Sequence, residues 1–122
     1  MNKEPLKVIK TPRTPWIKNL GGVPSHLEYQ QGSMFEAVES IAQKYPDYIA
    51  YDFMGGRTTY KAFIKEIHDC ARALRAIGVQ EGEAVTICMP NAPQTLIMFY
   101  AVNLVGAVSN MVHPLSSEKE LE

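Results

Sequence analysis

From Ala84 to Ser117 the chain carries no formally charged side chain, and only a few structures accommodate such a run. A membrane-spanning helix needs about 20 mostly apolar residues without interruption. Here Pro90, Asn91, Pro93, Asn103, Gly106, Ser109 and Asn110 divide the run at intervals suited to strand, turn, helix and strand. "AVTICM", Ala84 to Met89, is predicted as a near-continuous apolar strand of the kind covered on both faces in parallel sheets. Asn91 is then expected to cap a helix from Ala92 to about Val105, whose polar residues are Gln94, Thr95, Tyr100 and Asn103. Gly106 ends it and "AVSNMV" resumes an extended run. Strand, helix, strand in this order is a βαβ unit, so the fold class is α/β. A helix apolar around its whole circumference requires protein on every side, and the remaining elements do not obviously wrap it.

Those elements read clearly. "SMFEAVESIAQKYPD" opens on the capping box Ser33 and Glu36, with Phe35, Val38, Ile41, Ala42 and Tyr45 on one face and Pro46 as the stop. "YIAYDF" is a short strand, and Gly55-Gly56 is expected to turn it into "RTTY" as a β-hairpin. Thr59 is placed as N-cap of a helix running to Ile77. Its buried stripe is Tyr60, Phe63, Ile64, Ile67, Cys70, Ala71, Leu74 and Ile77, and its wet side is Lys61, Lys65, Glu66, Asp69, Arg72 and Arg75. Gly78 and Val79 stand where a left-handed C-terminal cap and its apolar contact are wanted. His68 borders the stripe with no carboxylate partner at helical spacing, which suits a surface or half-buried histidine.

Charge is unevenly placed. Residues 1–27 hold Lys3, Lys7, Lys10, Arg13 and Lys18 against Glu4 alone, with Pro5, Pro12, Pro15 and Pro24 interspersed. This predicts residues 1–32 as an extended basic leader on the surface of a larger body, with membrane or nucleic-acid contact as the alternatives for the arm. The α/β unit is assigned to residues 33–122. A formal net charge of −1 removes the global case for nucleic acid. Cys70 and Cys88 have neither CxxC spacing nor a flanking histidine, so buried free thiols are expected rather than a metal or redox site. The start, "MNKEPLKVIK", lacks the apolar core of about 7 to 15 residues found in signal peptides, and a cytoplasmic location is expected.

Open α/β sheets bind ligands at the carboxyl ends of their strands. Those ends are "PNAP" after Met89 and "HPLSS" after Val112, which makes Asn91 and His113 the residues to watch. Neither GxGxxG, GxxxxGK[ST] nor GxSxG occurs. The carboxylates lie on wet faces or turns. No residue is assigned as catalytic, cofactor-binding or metal-binding. Ser117 and Glu120 form a further capping box close to the final residue, while an isolated helix needs on the order of 12 to 15 residues. Together with the uncovered apolar helix, this leads to the expectation that the chain is an amino-terminal piece of a larger protein.

Several local signatures coincide in order: "KYPD" closing the first helix, "TTYKAF" opening the second, "GVQEGEAVTICMPN" for turn and strand, and "AVNLVGAVSNMVHPLSSEKELE" for helix, strand and next helix start. From Pro15 to Glu122 the chain resembles the amino-terminal portion of AMP-forming acyl-CoA synthetases, in the adenylate-forming superfamily. The "PW…VP" leader is more similar to the long-chain fatty acyl members than to peptide-synthetase adenylation domains. The resemblance implies a parent ligase that uses ATP and Mg2+ to activate a fatty acid as acyl-adenylate and then transfers it to coenzyme A. The family's phosphate loop, adenine pocket, ribose-binding aspartate and carboxy-terminal lysine fall downstream of Glu122, so the chain by itself is expected to be inactive and to bind none of these cofactors. Where many relatives place Asn-Pro, this chain has His113-Pro114. The expected partners are the fatty acid, coenzyme A, the remainder of the protein's own chain and, through exposed apolar surface, a second copy; the basic leader would favour membranes that hold a fatty substrate. The alternatives are a stand-alone, non-catalytic α/β interaction module and an adenylate-forming ligase for an aryl or amino acid.

Overall fold

A computed structural model describes residues 21–24, 26–29 and 31–116. Most of the basic leader, Lys3 to Lys18 included, and the Ser117–Glu120 capping box lie outside the described residues. The chain divides into two compact units, residues 1–30 and 31–122. In the first, Gly21 and Gly22 form a turn and the described residues are exposed.

The second unit runs α1 (Met34–Lys44), β1 (Ile49–Phe53), β2 (Gly56–Thr59), α2 (Tyr60–Ala76), β3 (Ala84–Cys88), α3 (Pro93–Val105), β4 (Val108–Val112). The start of α1 is the predicted capping box: the Glu36 amide donates to Ser33 Oγ at 3.1 Å and the Ser33 amide to Glu36 Oε2 at 2.6 Å. A third partner comes from across the fold, where the Phe35 amide donates to Asn103 Oδ1 of α3 at 3.0 Å. Only part of the expected face of α1 is used. Phe35 and Ala42 are buried and Val38 is half-buried, but Ile41 and Tyr45 stay exposed, and Tyr45 stacks on Tyr48 at 5.0 Å instead.

β1 and β2 form the predicted hairpin, with a correction at the turn. Phe53 pairs with Gly56, so the two-residue loop is Met54-Gly55 rather than Gly55-Gly56. Both loop residues have positive φ, 51° and 84°, the pattern that matches the twist of the strands in a type I′ turn.

Thr59 caps α2, its Oγ1 accepting from the Ala62 amide at 3.3 Å. Phe63, Ile67, Ala71 and Leu74 are buried, with Tyr60, Ile64 and Cys70 half-buried beside them. Ile77 departs from the stripe: the helix ends at Ala76 and Ile77, as C-cap, is 78% exposed. Gly78 at φ 102° lets the Gly78 amide donate to Arg75 O and the Val79 amide to Leu74 O, both at 3.1 Å. These two bonds define a Schellman ending, with Val79 packed against the core.

β3 and β4 pair in parallel from Ala84↔Val108 to Cys88↔Val112, with α3 between them in sequence, which completes the βαβ unit. Asn91 does not cap α3. The N-cap is Ala92, at φ −141° and ψ 160°, and no side chain caps it. The cause is Pro93 at the first helical position, which forces the preceding residue out of the helical region.

The expectation that α3 lacks covering within this chain is also corrected. α3 packs on α1 and α2 and on β3 and β4, and within it only Gln94 and Leu96 are exposed. Ala101, Val102 and Val105 join Phe35, Phe63, Ile67, Ala71, Leu74 and Ile87 in one core. Tyr51, Phe63, Tyr100 and Phe99 run through it as successive edge-to-face contacts at 5.3–5.9 Å. β3 is likewise not covered on both faces: Ile87 is buried and Val85 half-buried, while Ala84, Thr86 and Cys88 are exposed.

Candidate functional site

The strand-end rule places function where β3 and β4 run out, and the chain builds a groove there of about 630 Å3. Met89, Pro90 and Asn91 form one wall and Met111 to Leu115 the other, with Thr95 of α3 between. Asn91 and His113, the two residues singled out from sequence, therefore line the same groove.

Each wall is fixed by a local bond. The Thr95 hydroxyl, 9% exposed, donates to Pro90 O at 2.6 Å, which clamps the first turn of α3 to the end of β3. On the other wall His113 Nδ1 accepts from the Leu115 amide at 3.1 Å, and His113 O accepts from the Ser116 amide at 3.0 Å. A ring nitrogen that accepts carries no proton, so the neutral ring bears its hydrogen on Nε2. The geometry accounts for histidine where Asn-Pro was expected. In an Asx turn an asparagine oxygen accepts from the amide two residues on, and His113 Nδ1 makes that same contact. The Asn91 side chain has no protein partner among the described residues. A second, smaller cleft of about 250 Å3 lies between β1 and the start of α3, lined by Tyr51, Asp52 and Phe53 with Pro93 and Leu96; Asn91 and Thr95 border both.

Chemically, the groove presents apolar walls, a free amide and an imidazole N–H. It can bind and orient a ligand. Among the described residues that line it there is no carboxylate, thiol or serine hydroxyl. Among the described residues there is no group of three or more His, Cys, Asp or Glu that could hold a metal ion.

Elsewhere, His68 does have a carboxylate neighbour: its Nε2 lies 3.6 Å from Glu39 Oε1 of α1, and its ring packs edge-on against Phe35 at 5.4 Å. Helical spacing within α2 could not show a partner on another helix. The cysteines depart from the expectation of two buried thiols. Cys70 is half-buried, 3.9 Å from Met98 Sδ, and burial pushes its thiol up from the ordinary value. Cys88 is exposed. Asp69, on the wet side of α2, is bound by Lys65 and Arg72. The Lys65 hydrogen bond, more than the surrounding charges, holds its carboxyl below the usual range.

Residues 38–122, the segment that contains the βαβ unit and the groove, match the AMP-binding enzyme family. The chain belongs to that family. Among its relatives is the long-chain-fatty-acid–CoA ligase of Bacillus subtilis, 29% identical over 109 residues, which covers 88% of this chain and 20% of that protein. Another is the acetyl-coenzyme A synthetase of Phycomyces blakesleeanus, 32% identical over 98 residues, covering 75% and 15%. Of solved structures, the Klebsiella oxytoca NpsA N-terminal subdomain in complex with anthranilyl-AMSN superposes with a TM-score of 0.73 at 26% identity, covering 79% of this chain and 26% of that one. The N-terminal domain of FACL13 from Mycobacterium tuberculosis gives 0.69 at 25% identity, covering 73% and 23%. The chain thus spans 15–20% of the length of these two curated relatives. As a member of the AMP-binding family it shares the α/β architecture found in the matched parts of these two solved structures.

Proposed function

We propose that the protein to which this chain belongs is an AMP-forming acid–CoA ligase acting on fatty acids. In the first step a carboxylate oxygen attacks the α-phosphorus of ATP, forming acyl-adenylate and releasing pyrophosphate. In the second the thiol of coenzyme A attacks the acyl carbon and AMP departs with the electron pair of the broken bond. The observation that carries this reading is the family match across residues 38–122, supported by relatives named as fatty-acid and acetate CoA ligases. Residues 31–116 contribute the frame and the groove at the strand ends, not the reacting groups. Magnesium supplies phosphate charge neutralisation in such chemistry, and nothing among the described residues is assigned to hold it. A cytoplasmic location is supported by two free cysteines.

The test is ATP–pyrophosphate exchange and thioester formation by the complete protein, with long-chain fatty acids, acetate and an aryl acid as separate arms. The aryl arm is included because NpsA is solved with anthranilyl-AMSN. Exchange strongest with a fatty acid is expected. Exchange with an aryl acid alone would move the protein to that class, and exchange with no carboxylic acid would overturn the reading. The 122 residues alone should show none.

A further inference from the structure

One wall of the groove ends in a turn, His113 to Ser116, held by two bonds of different kinds. His113 O accepts from the Ser116 amide at 3.0 Å. That bond closes a β-turn, and Pro114 stands at its second position, where a fixed φ favours the turn. Neither partner titrates. The other bond depends on protonation. His113 Nδ1 accepts from the Leu115 amide at 3.1 Å, and only a ring nitrogen with a free lone pair can accept. The imidazolium form carries a hydrogen on both nitrogens. Protonation therefore sets one N–H against another, and the ring must leave the Leu115 amide. It has room to do so, because His113, Pro114 and Leu115 are all exposed, Leu115 by 85%.

The end of β3 brings Met89, Pro90 and Asn91 to the groove, α3 brings Thr95, and β4 brings Met111 and Val112. Among the described residues that line it, His113 is the one ionisable side chain. Tyr51 and Asp52 line the neighbouring cleft, and Glu118, Lys119 and Glu120, next along the chain, lie outside the described residues. Histidine is the side chain whose ordinary titration falls between about pH 5 and 8.

We propose that His113 is a pH-sensitive latch on this groove. The neutral ring ties Leu115 down and leaves the wall uncharged. On protonation the ring releases the Leu115 amide and pivots away, while Pro114 and the Ser116 bond keep the turn intact. The imidazolium then puts a positive charge into a groove whose described lining carries none, so acid conditions favour an anionic ligand there. The sign follows from the form that makes the bond: Leu115 is held at the upper end of the histidine range and is released as pH falls. An asparagine in the same contact would accept through its amide oxygen at any pH in this range, so histidine at this position supplies the response. The proposal rests on the geometry of the groove and not on the ligase activity.

The test is hydrogen exchange in the complete protein between about pH 5 and 8, expressed as protection relative to the intrinsic rate at each pH. Leu115 protection should fall by about three- to tenfold toward the acid end, as for the net loss of one hydrogen bond, while Ser116 protection changes by less than about twofold. In His113→Asn the Leu115 amide should stay protected across the whole range. A flat Leu115 profile in the unaltered protein overturns the latch, and so does the same fall in His113→Asn. An equal fall at Ser116 would mean that the turn melts instead of pivoting, which overturns it too. If the variant does not fold, spectra of the unaltered protein with nitrogen-labelled histidine decide. The His113 ring must gain its proton over the pH range in which Leu115 loses protection, and a mismatch refutes the proposal. None of these readouts depends on turnover.

Discussion

Asn103 offers the sharpest test of how this fold is held. α1 begins with four amides that lack an intrahelical partner, those of Ser33, Met34, Phe35 and Glu36. Ser33 Oγ takes the Glu36 amide at an exposed site, while Asn103 Oδ1 takes the Phe35 amide at 3.0 Å in a part-buried one. Asn103→Leu keeps the bulk of the side chain and removes the acceptor. Because Phe35 is 3% exposed, water has poor access to its amide, and a stranded buried donor costs about 1–3 kcal/mol. We take about 2 kcal/mol as the expected loss, against about 1 kcal/mol for Ser33→Ala, which strands the exposed Glu36 amide that water can reach. In urea followed by far-UV circular dichroism, 2 kcal/mol corresponds to a midpoint lowered by about 1–2 M, or a Tm lowered by about 8–16 °C for a unit of this size. Asn103→Asp retains an acceptor and adds a charge facing the amino end of α1, worth about 0.3–1 kcal/mol; it should be at least as stable as the parent at neutral pH and, once protonated, keep a carbonyl acceptor for the Phe35 amide and so stay above Asn103→Leu. Hydrogen exchange supplies the local readout, with Phe35 amide protection lost in the leucine variant and kept in the aspartate one. An unchanged urea midpoint together with unchanged Phe35 protection in Asn103→Leu would show that the bond contributes nothing.

Met54→Asn should stabilise the hairpin by about 0.5–1 kcal/mol, since Met54 is 92% exposed at φ 51° and asparagine tolerates that region; a lower urea midpoint would refute the turn geometry. Ile67→Ala, at a fully buried position, should cost about 2–5 kcal/mol, and a loss below about 1 kcal/mol would mean that the centre of α2 is not packed. His113→Asn should preserve protection of the Leu115 amide and His113→Ala should lose it; equal loss in both would remove the Asx-like role. Asp69 has its folded pKa depressed, chiefly by Lys65, so its contribution is present above the ordinary carboxylate range and is lost as pH falls through the lower folded value. Asp69→Asn should therefore flatten the acid limb of a stability profile slightly, the group being exposed, and a steeper limb would contradict the sign.

Features legible in the sequence were those whose causes lie within a few residues of one another. Ser33 with Glu36, Thr59 with Ala62, and Gly78 with Val79 act over three to five positions, and the strand-end rule put Asn91 and His113 on one groove without any knowledge of its walls. Features that were not legible join distant residues. Asn103 reaches Phe35 across 68 positions, and Glu39 meets His68 only because α1 packs on α2. Two misreadings had local causes that outranked the signal used. Pro93 decides the start of α3 before Asn91 can cap it, and the hairpin register puts Met54, not Gly56, at positive φ. The bare face of β3 was hidden because a short apolar run reads alike whether one face or two are covered.

α3 shows why the groove has a fixed shape at all. Apolar burial gives a helix that is apolar all round no preferred rotation about its axis, so its setting must come from the few polar side chains it carries. Thr95 is bound to Pro90 O at one end and Asn103 to the Phe35 amide at the other. Eight residues apart at about 100° each, they point roughly 80° from one another, and only one rotation satisfies both. The Thr95 bond also sets the distance from α3 to the end of β3, which is one wall of the groove. The polar residues that look out of place in the apolar run are thus the ones that position Asn91 opposite His113, and the groove depends on their bonds more than on the hydrophobic pattern around them.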